Sequence, residues 1–298
     1  MQGADMLDWL SSKRVAPYIF LAPVLVFGLV FFAVPLFFAA YISLTEWDAV
    51  TSPKWAGLHN YTYLLGRDQF FLTSIWNTFT FAAGTVIAGV PAALIVAAMI
   101  NQSRYAGFWR TIYWLPMITN IVAVAYIWKY ILNDTSGLLN RALDMLGLPG
   151  PDWLTNPSIA MIAVILVAAW MSVGQNVLVF LSGLNEIDES FYEAARLDGA
   201  NPVQLFWHVT IPLLRPTILF VLITSLINAL SSFVLMMVLT EGGPARSTTV
   251  TGLYLYDMAF TDLRLGRASA AAYILFAIIL AISLVQLRLL RRGGVEAH

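Results

Sequence analysis

An all-α membrane protein with six transmembrane helices is the fold class this sequence predicts, and three observations predict it. Hydrophobic residues make up 59% of the 298-residue chain and charged residues only 11%, against roughly 25% charged in a soluble domain. Six windows carry no Asp, Glu, Lys or Arg: 15–45, 69–103, 111–128, 153–185, 216–240 and 268–287. Each reaches the roughly 18 residues that mark a bilayer crossing, and a chain this short cannot hide six such windows in a soluble core. Ten tryptophans and twelve tyrosines suit the headgroup level, where the ring stays apolar and its polar edge stays wet. Trp9, Tyr18, Trp47, Trp109, Tyr113, Trp114, Trp128, Tyr130 and Trp153 stand near window ends.

The elements follow in order. Lys13 and Arg14 precede the first window. That window is too long for the apolar core of a signal peptide and has no clear A-x-A exit, so it is expected to stay as the first helix. Pro35 falls inside it. Gly57-Leu58-His59-Asn60-Tyr61 reads as an ordered connection. The second helix carries Pro91, with Gly84 and Gly89 permitting close helix approach. Pro116 kinks the third helix or marks its entry. Gly137-Leu138-Leu139-Asn140 opens an amphipathic run to Leu146, ended by Gly147 and Pro149. The fourth window runs to Asn185. Pro212 and Pro216 bracket the entry to the fifth, which Gly242-Gly243-Pro244 follows as a turn. With neither a repeat nor a linker to divide it, the chain 1–298 reads as a single transmembrane domain.

Six crossings put both termini on one side. An N-in, C-in orientation leaves nine Lys and Arg inside (Lys13, Arg14, Arg104, Arg110, Arg196, Arg215, Arg288, Arg291, Arg292) and seven outside (Lys54, Arg67, Lys129, Arg141, Arg246, Arg264, Arg267). The inner connections are shorter, and the C-terminal arginines abut the last helix, which is the proximity that the positive-inside rule weighs.

Between the fourth and fifth membrane helices lies a charge-dense amphipathic loop, 186–212. It reads as two short helices. Ser190-Phe191-Tyr192-Glu193 matches a capping box, with Ser190 as N-cap and Glu193 at the third helical position. Phe191, Ala194 and Ala195 then share a face. Gly199 suits the left-handed residue that ends a helix. Asn201-Pro202 restarts one, Asn as cap and Pro in the first turn. Leu205 and Phe206 are expected to supply apolar surface.

The spacing of this loop resembles the cytoplasmic loop of ABC importer permeases: E-A-A, three residues, Gly, nine residues, then I-x-L-P. Here Glu193-Ala194-Ala195 precedes Gly199 by that interval, and Val209-Thr210-Ile211-Pro212 follows. Where the family often has a proline, this chain has Asp188. The resemblance implies that Glu193, Ala194, Ala195, Arg196, Asp198 and Gly199 form a coupling helix seated in a groove on a separate ATPase. Glu193 then meets a basic residue there, and the small alanines let the helix backbone sit deep. Further segments, Gly137-Leu138-Leu139-Asn140, Leu239-Thr240 with Gly242-Gly243-Pro244, and Tyr254-x-Tyr256-x-x-Ala259-Phe260, are similar to the MalF and UgpA type, the first-type permeases of carbohydrate importers. The resemblance implies a heterodimer with a second related permease, a dimer of ATPase subunits using ATP and Mg, an extracytoplasmic solute-binding protein, and a bacterial or archaeal cell membrane. It implies no cofactor bound by this chain.

A hydrophilic solute needs polar groups facing a bundle interior. The fourth window offers Ser172, Gln175 and Asn176, and the fifth Ser225, Asn228, Ser231 and Ser232. By resemblance, the sugar-contacting positions fall on Met171, Ser172 and Gln175, and on Ser225, Asn228, Ala229 and Ser232. Such residues also bond between membrane helices for about 0.6 kcal/mol. Trp170 stacks on a sugar or packs. Lys129 snorkels to the interface or, in the alternative of a glycerol-3-phosphate or glycerophosphodiester importer, meets an anion. An ion-coupled secondary transporter is disfavoured because no Asp, Glu or His lies within the six windows. His59, His208 and His298 form no H-E-x-x-H, no G-x-S-x-G occurs, and no metal or catalytic site is expected. His208 is expected to pack or hydrogen-bond within the loop. No lysine stands in a phosphate-loop Gly-Lys-Ser/Thr, so ATP hydrolysis must come from another polypeptide. There is no basic stripe for nucleic acid, and with no cysteine thiol chemistry is absent.

Overall fold

The structure is a computed structural model and describes residues 16–292. Trp9, Lys13, Arg14 and His298 lie outside the described residues, as do the side chains of Arg291 and Arg292. Of the described residues, 75% are helical. The helices are α1 (Ala16–Gly28), α2 (Val34–Ser43), α3 (His59–Gly66), α4 (Gln69–Asn101), α5 (Ala106–Ile118), α6 (Ile121–Ile131), α7 (Leu138–Met145), α8 (Ala160–Asn185), α9 (Glu189–Leu197), α10 (Pro202–Leu205), α11 (Ile211–Leu213), α12 (Arg215–Ser231), α13 (Val234–Leu239), α14 (Thr251–Tyr256) and α15 (Leu265–Arg292). A two-residue hairpin pairs β1 (Thr45–Glu46) with β2 (Lys54–Trp55), Thr45 opposite Trp55.

Among the described residues, four helices are long and apolar enough to cross a bilayer without a break: Phe20–Ser43, Gln69–Asn101, Ala160–Asn185 and Leu265–Arg288. Two further candidates are bent pairs, α5 with α6 at 96° and Pro202–Leu213 with α12 at 70°. If each pair is one span, the total is six. The third window is therefore not one helix. Pro116 stays inside α5, and the break falls beyond it. Thr119 Oγ1 turns back to Leu115 O at 3.0 Å, and the Asn120 side chain accepts from Val122 N–H at 2.8 Å, capping a new helix. The fifth window likewise stops at Ser231, and α13 restarts after Phe233.

Two π-helical turns have a common cause. Leu29–Ala33 precedes Pro35 and Phe206–Thr210 precedes Pro212. Proline brings no N–H to the carbonyl four residues back and its ring crowds it. Widening the preceding turn by one residue relieves the crowding without ending the helix. Pro91 needs no such turn, and α4 runs through it.

The described chain falls into two compact units. In the unit of residues 16–67 and 258–273, Asn60 is the fastener. Its Nδ2 donates to Ser43 O at 2.9 Å and Thr45 O at 2.8 Å, and the neighbouring Tyr61 hydroxyl bonds Ser43 Oγ at 2.7 Å. Gly266 passes so close to the hairpin that a Cβ would stand 2.0 Å from Thr45 O. The Arg267 guanidinium lies 4.0 Å over the Tyr63 ring.

The second unit holds the long-range packing. Val90, Ala93, Leu94, Ala97 and Ile100 recur at helical spacing on α4 and meet Val177, Phe180, Leu181 and Leu184 of α8. Nearer the other end of these helices, Phe81 and Ala82 join Val164 and Val167. In lipid, helices gain little from apolar burial alone, so close approach through small residues decides packing. Gly84 and Gly89 do provide it: a Cβ would meet Ile165 Cδ1 at 2.6 Å and Ser172 Oγ at 2.4 Å. At the start of α4, Asn77 Nδ2 donates to Arg246 O and Thr249 O, each at 3.0 Å, and Thr78 Oγ1 accepts from Thr251 N–H at 2.8 Å. These bonds fix the Gly242-Gly243-Pro244 turn region, where Gly242 has φ +79°.

Candidate functional site

The segment after α8 folds as two short helices, with its first cap two residues earlier than the sequence suggests. Asp188, not Ser190, is the N-cap of α9: its carboxylate accepts from Ser190 N–H at 2.8 Å. Both residues satisfy a capping pattern, but an aspartate two positions ahead starts the helix sooner and leaves Ser190 inside it. That backbone N–H holds the Asp188 carboxyl below the ordinary carboxylate range. A depressed folded value means that the cap's contribution is complete above the unfolded carboxylate pKa of about 3.9. It is lost as the pH falls through the lower folded value. Amide exchange at Ser190 and Phe191 is therefore expected to quicken in Asp188→Ala at neutral pH. In the native protein the protection of these amides, relative to their intrinsic exchange rates, is expected to hold down to about pH 4 and to fall only below.

The C-terminus of α9 follows the glycine signal closely. Gly199 has φ +83°, its N–H reaches Arg196 O at 3.0 Å, and Ala200 N–H reaches Ala195 O at 3.0 Å. This double bond pattern closes a helix with one left-handed residue. Asn201 then caps α10 by accepting from Gln204 N–H at 2.9 Å, while Gln204 Oε1 accepts from Asn201 N–H at 2.8 Å. The reciprocal box thus sits on Asn201 and Gln204 rather than on Ser190 and Glu193. His208 Nδ1 lies 3.1 Å from Gln204 O. The Tyr192 hydroxyl bonds Thr210 Oγ1 at 3.1 Å, tying α9 to the π turn that leads into α11.

What the segment presents outward differs in part from expectation. Leu205 and Phe206 are half-buried, with Phe206 packed on the α4–α8 core. The large exposed apolar residues are Phe191, Leu197, Val203 and Trp207. Val203 and Trp207 are four apart and share the face opposite Leu205 and Phe206. Glu193, Ala194, Asp198 and Gly199 are exposed and Ala195 half-buried. Arg196 pairs with Glu189 at 2.9 Å, a surface bridge of small energetic weight. Glu193 takes part in neither of the ion pairs found among the described residues.

A second feature is a cavity of about 350 Å³ bounded by α4, α8, α12 and the α5–α6 break. Ser172, Gln175, Asn176, Ser225, Asn228 and Ser232 all line it. Met171 and Ala229 do too, whereas Ser231 instead bonds Ile227 O at 2.9 Å. Asn176 is 5% exposed, and its Oδ1 accepts from Ser225 Oγ at 3.3 Å across α8 and α12. Gln175 and Asn228 are exposed. Ser172 Oγ donates to Ala169 O at 2.8 Å. Trp170 packs edge-on against Trp128 at 5.5 Å rather than lining the cavity. Lys129 is paired with Glu241 at 3.1 Å. The sequence reading overlooked Thr85, Thr119 and Thr224, which share the wall. A lone threonine in an apolar helix gives no periodic signal, though Thr85 stands between the two close-approach glycines of α4.

Comparison with known proteins gives a consistent result. Residues 89–292 match the family described as binding-protein-dependent transport system inner membrane component. The probable ABC transporter permease protein YurN of Bacillus subtilis (strain 168) is 34% identical over 292 residues, covering 96% of this chain and 99% of that protein. The arabinooligosaccharides transport system permease protein AraP of the same organism is 31% identical, covering 95% and 90%. The sn-glycerol-3-phosphate transport system permease protein UgpA of Salmonella choleraesuis (strain SC-B67) is 31% identical, covering 93% and 94%. Among solved structures, a chain of a bacterial ABC transporter involved in the import of the acidic polysaccharide alginate superposes with TM-score 0.83 at 27% identity, covering 96% and 99%. A chain of the alginate transporter in complex with its pentasaccharide-bound periplasmic protein gives TM-score 0.83 at 25% identity, covering 100% and 99%.

Proposed function

This chain belongs to the binding-protein-dependent transport system inner membrane components, and we propose that it forms half of the pathway by which an ATP-driven ABC importer takes up a sugar or oligosaccharide. The observation that carries the reading is the segment Asp188–Pro212. It is the rigid, doubly capped pair of short helices that a docking element requires, with exposed Phe191, Leu197, Val203 and Trp207 beside an unpaired Glu193. Glu193, Ala194, Ala195, Arg196, Asp198 and Gly199 seat it on the ATPase.

The chain acts as one transmembrane domain, 1–298, in a bacterial cytoplasmic membrane. It crosses six times, the two bent pairs each counting as one span, with both termini and the coupling segment inside. Its partners are a second related permease, a pair of ATPase subunits that consume ATP with Mg, and an external solute-binding protein. The periplasmic protein in the alginate complex and the arabinooligosaccharide relative support the last partner and the carbohydrate class. The glycerol-3-phosphate relative keeps a second reading in view, a phosphorylated solute moved by the same machinery.

The test is purification of the tagged chain from its native membrane. An ATPase subunit, a second permease and a solute-binding protein are expected to co-purify, and ATP-dependent uptake to require all of them. Uptake by the chain alone, driven by an ion gradient, would overturn the reading.

A further inference from the structure

A charged recess of about 410 Å³ lies wholly within the unit of residues 16–67 and 258–273. Glu46, Trp47, Asp48, Lys54, Arg264 and Arg267 line it. Lys54 stands opposite Glu46 in the hairpin. Among the described residues, however, neither of them enters an ion pair, and nor does either arginine. Of the two carboxylates, Asp48 serves the hairpin turn. Its Oδ1 accepts from Val50 N–H at 3.1 Å, Thr51 N–H at 2.8 Å and Thr51 Oγ1 at 2.7 Å. That leaves three cations to one uncommitted carboxylate, Glu46. An excess of positive charge in a recess attracts an anionic group.

The recess stands where two membrane spans end. Phe20–Ser43 stops just before β1, and Leu265–Arg288 begins between Arg264 and Gly266. The Tyr273 hydroxyl donates to Leu36 O at 2.5 Å, and Gly266 N–H donates to Trp47 O at 3.3 Å, so spans and hairpin are joined. Trp47 meets Phe38 edge-on at 6.3 Å, and Trp55 meets Tyr41 at 6.3 Å. Such rings belong at headgroup depth. The apolar window of the first span is 0% buried within the chain, so lipid reaches the recess from the side.

We propose that this recess binds the headgroup of a phospholipid bearing a primary ammonium, phosphatidylethanolamine in chemical type. Lys54, Arg264 and Arg267 receive the phosphate, whose oxygens suit the planar fork of arginine. Glu46 receives the ammonium, which a glycerol headgroup does not offer. The bound lipid clamps the hairpin to both spans. Its place in the outer leaflet rests on the reading of the chain as N-in and C-in. A solute-binding protein approaches the same face, but a recess at the ends of the spans, beside a lipid-facing helix, lies level with lipid phosphates rather than in the aqueous space.

The complete complex in nanodiscs with equal parts of phosphatidylethanolamine and phosphatidylglycerol provides the test. It is washed into detergent, and the retained phospholipids are counted by native mass spectrometry. The native complex is expected to keep an additional phosphatidylethanolamine that Lys54→Gln/Arg264→Gln loses. When lipid is titrated back, the affinity of that variant is expected to be lower by about tenfold or more, as the loss of one charge-assisted hydrogen bond implies. Both side chains are exposed, so the unfolding temperature without added lipid is expected to hold. Arg141→Gln, at an exposed arginine outside the recess, is expected to retain the native lipid count.

Glu46→Gln gives an independent readout: phospholipid is still retained, but the preference for phosphatidylethanolamine over phosphatidylglycerol is expected to vanish. Three results overturn the proposal. They are equal retention in the double variant, including the case where docking of the solute-binding protein weakens instead; phosphatidylglycerol held as well as phosphatidylethanolamine by the native complex; and displacement of the lipid by millimolar inorganic phosphate, the mark of a free-anion site. Retention is read without ATP or solute, so each of these results leaves the importer reading standing, and that reading fails only on uptake.

Discussion

Replacing Glu193 by arginine is expected to abolish most uptake while leaving the permease folded. Glu193 is exposed and makes no ion pair within the described chain, so its loss removes nothing from the fold. At a charge-complementary interface, reversal sets like against like and costs about 2–5 kcal/mol. Uptake by the reconstituted complex should therefore fall roughly 30-fold or more. ATP hydrolysis should no longer respond to loaded binding protein, and the thermal unfolding of the permease should be unchanged. Glu193→Gln removes the attraction without adding repulsion, and an intermediate loss is expected. Uptake at the native rate in Glu193→Arg would show that this residue does not face the ATPase.

Gly174→Val is expected to disturb the fold strongly. Gly174 lies on α8 where α5 crosses it, and a Cβ there would stand 2.0 Å from Tyr113 O. The obstacle is backbone, so no side-chain rotation relieves it. Either α5 moves off α8 or the segment fails to assemble. Overpacking of this kind costs about 1–3 kcal/mol or more, and the α5–α6 break at the cavity moves with it. A lowered unfolding temperature and a reduced yield of assembled complex are the readouts. Gly107→Ala is the control. Its added methyl meets nothing within 4 Å, and in a helix it should stabilise by up to about 1 kcal/mol.

Much of this was legible in the residues, and the gaps have physical causes. Gly199 and Asn201-Pro202 announced the end of α9 and the start of α10, because each meets a backbone requirement few residues satisfy. The close approach at Gly84 and Gly89 was readable for the same reason. The start of α9 was misplaced because Asp188 and Ser190 are both competent caps, and local pattern cannot rank them. Hydropathy was blind to the 96° break between α5 and α6, since Thr119 and Asn120 are uncharged and vanish into an apolar window. The inward turn of Phe206 was hidden too. Only the π turn before Pro212 and the packing on α4 and α8 decide which aromatic faces out. Of the candidate polar residues in the spans, the gathering of six around one cavity depends on how α8 and α12 rotate against each other, which no single helix records. Thr85 escaped notice because one hydroxyl in a helix of 33 residues carries no pattern.

The central claim is that the segment from Asp188 to Pro212 is a cytoplasmic docking element gripped by a separate ATPase. The chain contains no cysteine, so Leu197→Cys introduces a unique thiol at a residue 89% exposed on that segment. The most direct measurement is labelling of this thiol by a membrane-impermeant maleimide in sealed right-side-out and inside-out vesicles, with and without the ATPase subunits. Labelling in inside-out vesicles alone, with protection and cross-linking once the ATPase is present, is the result this account predicts. Labelling from the external face, or cytoplasmic labelling that the ATPase neither blocks nor cross-links, would contradict it.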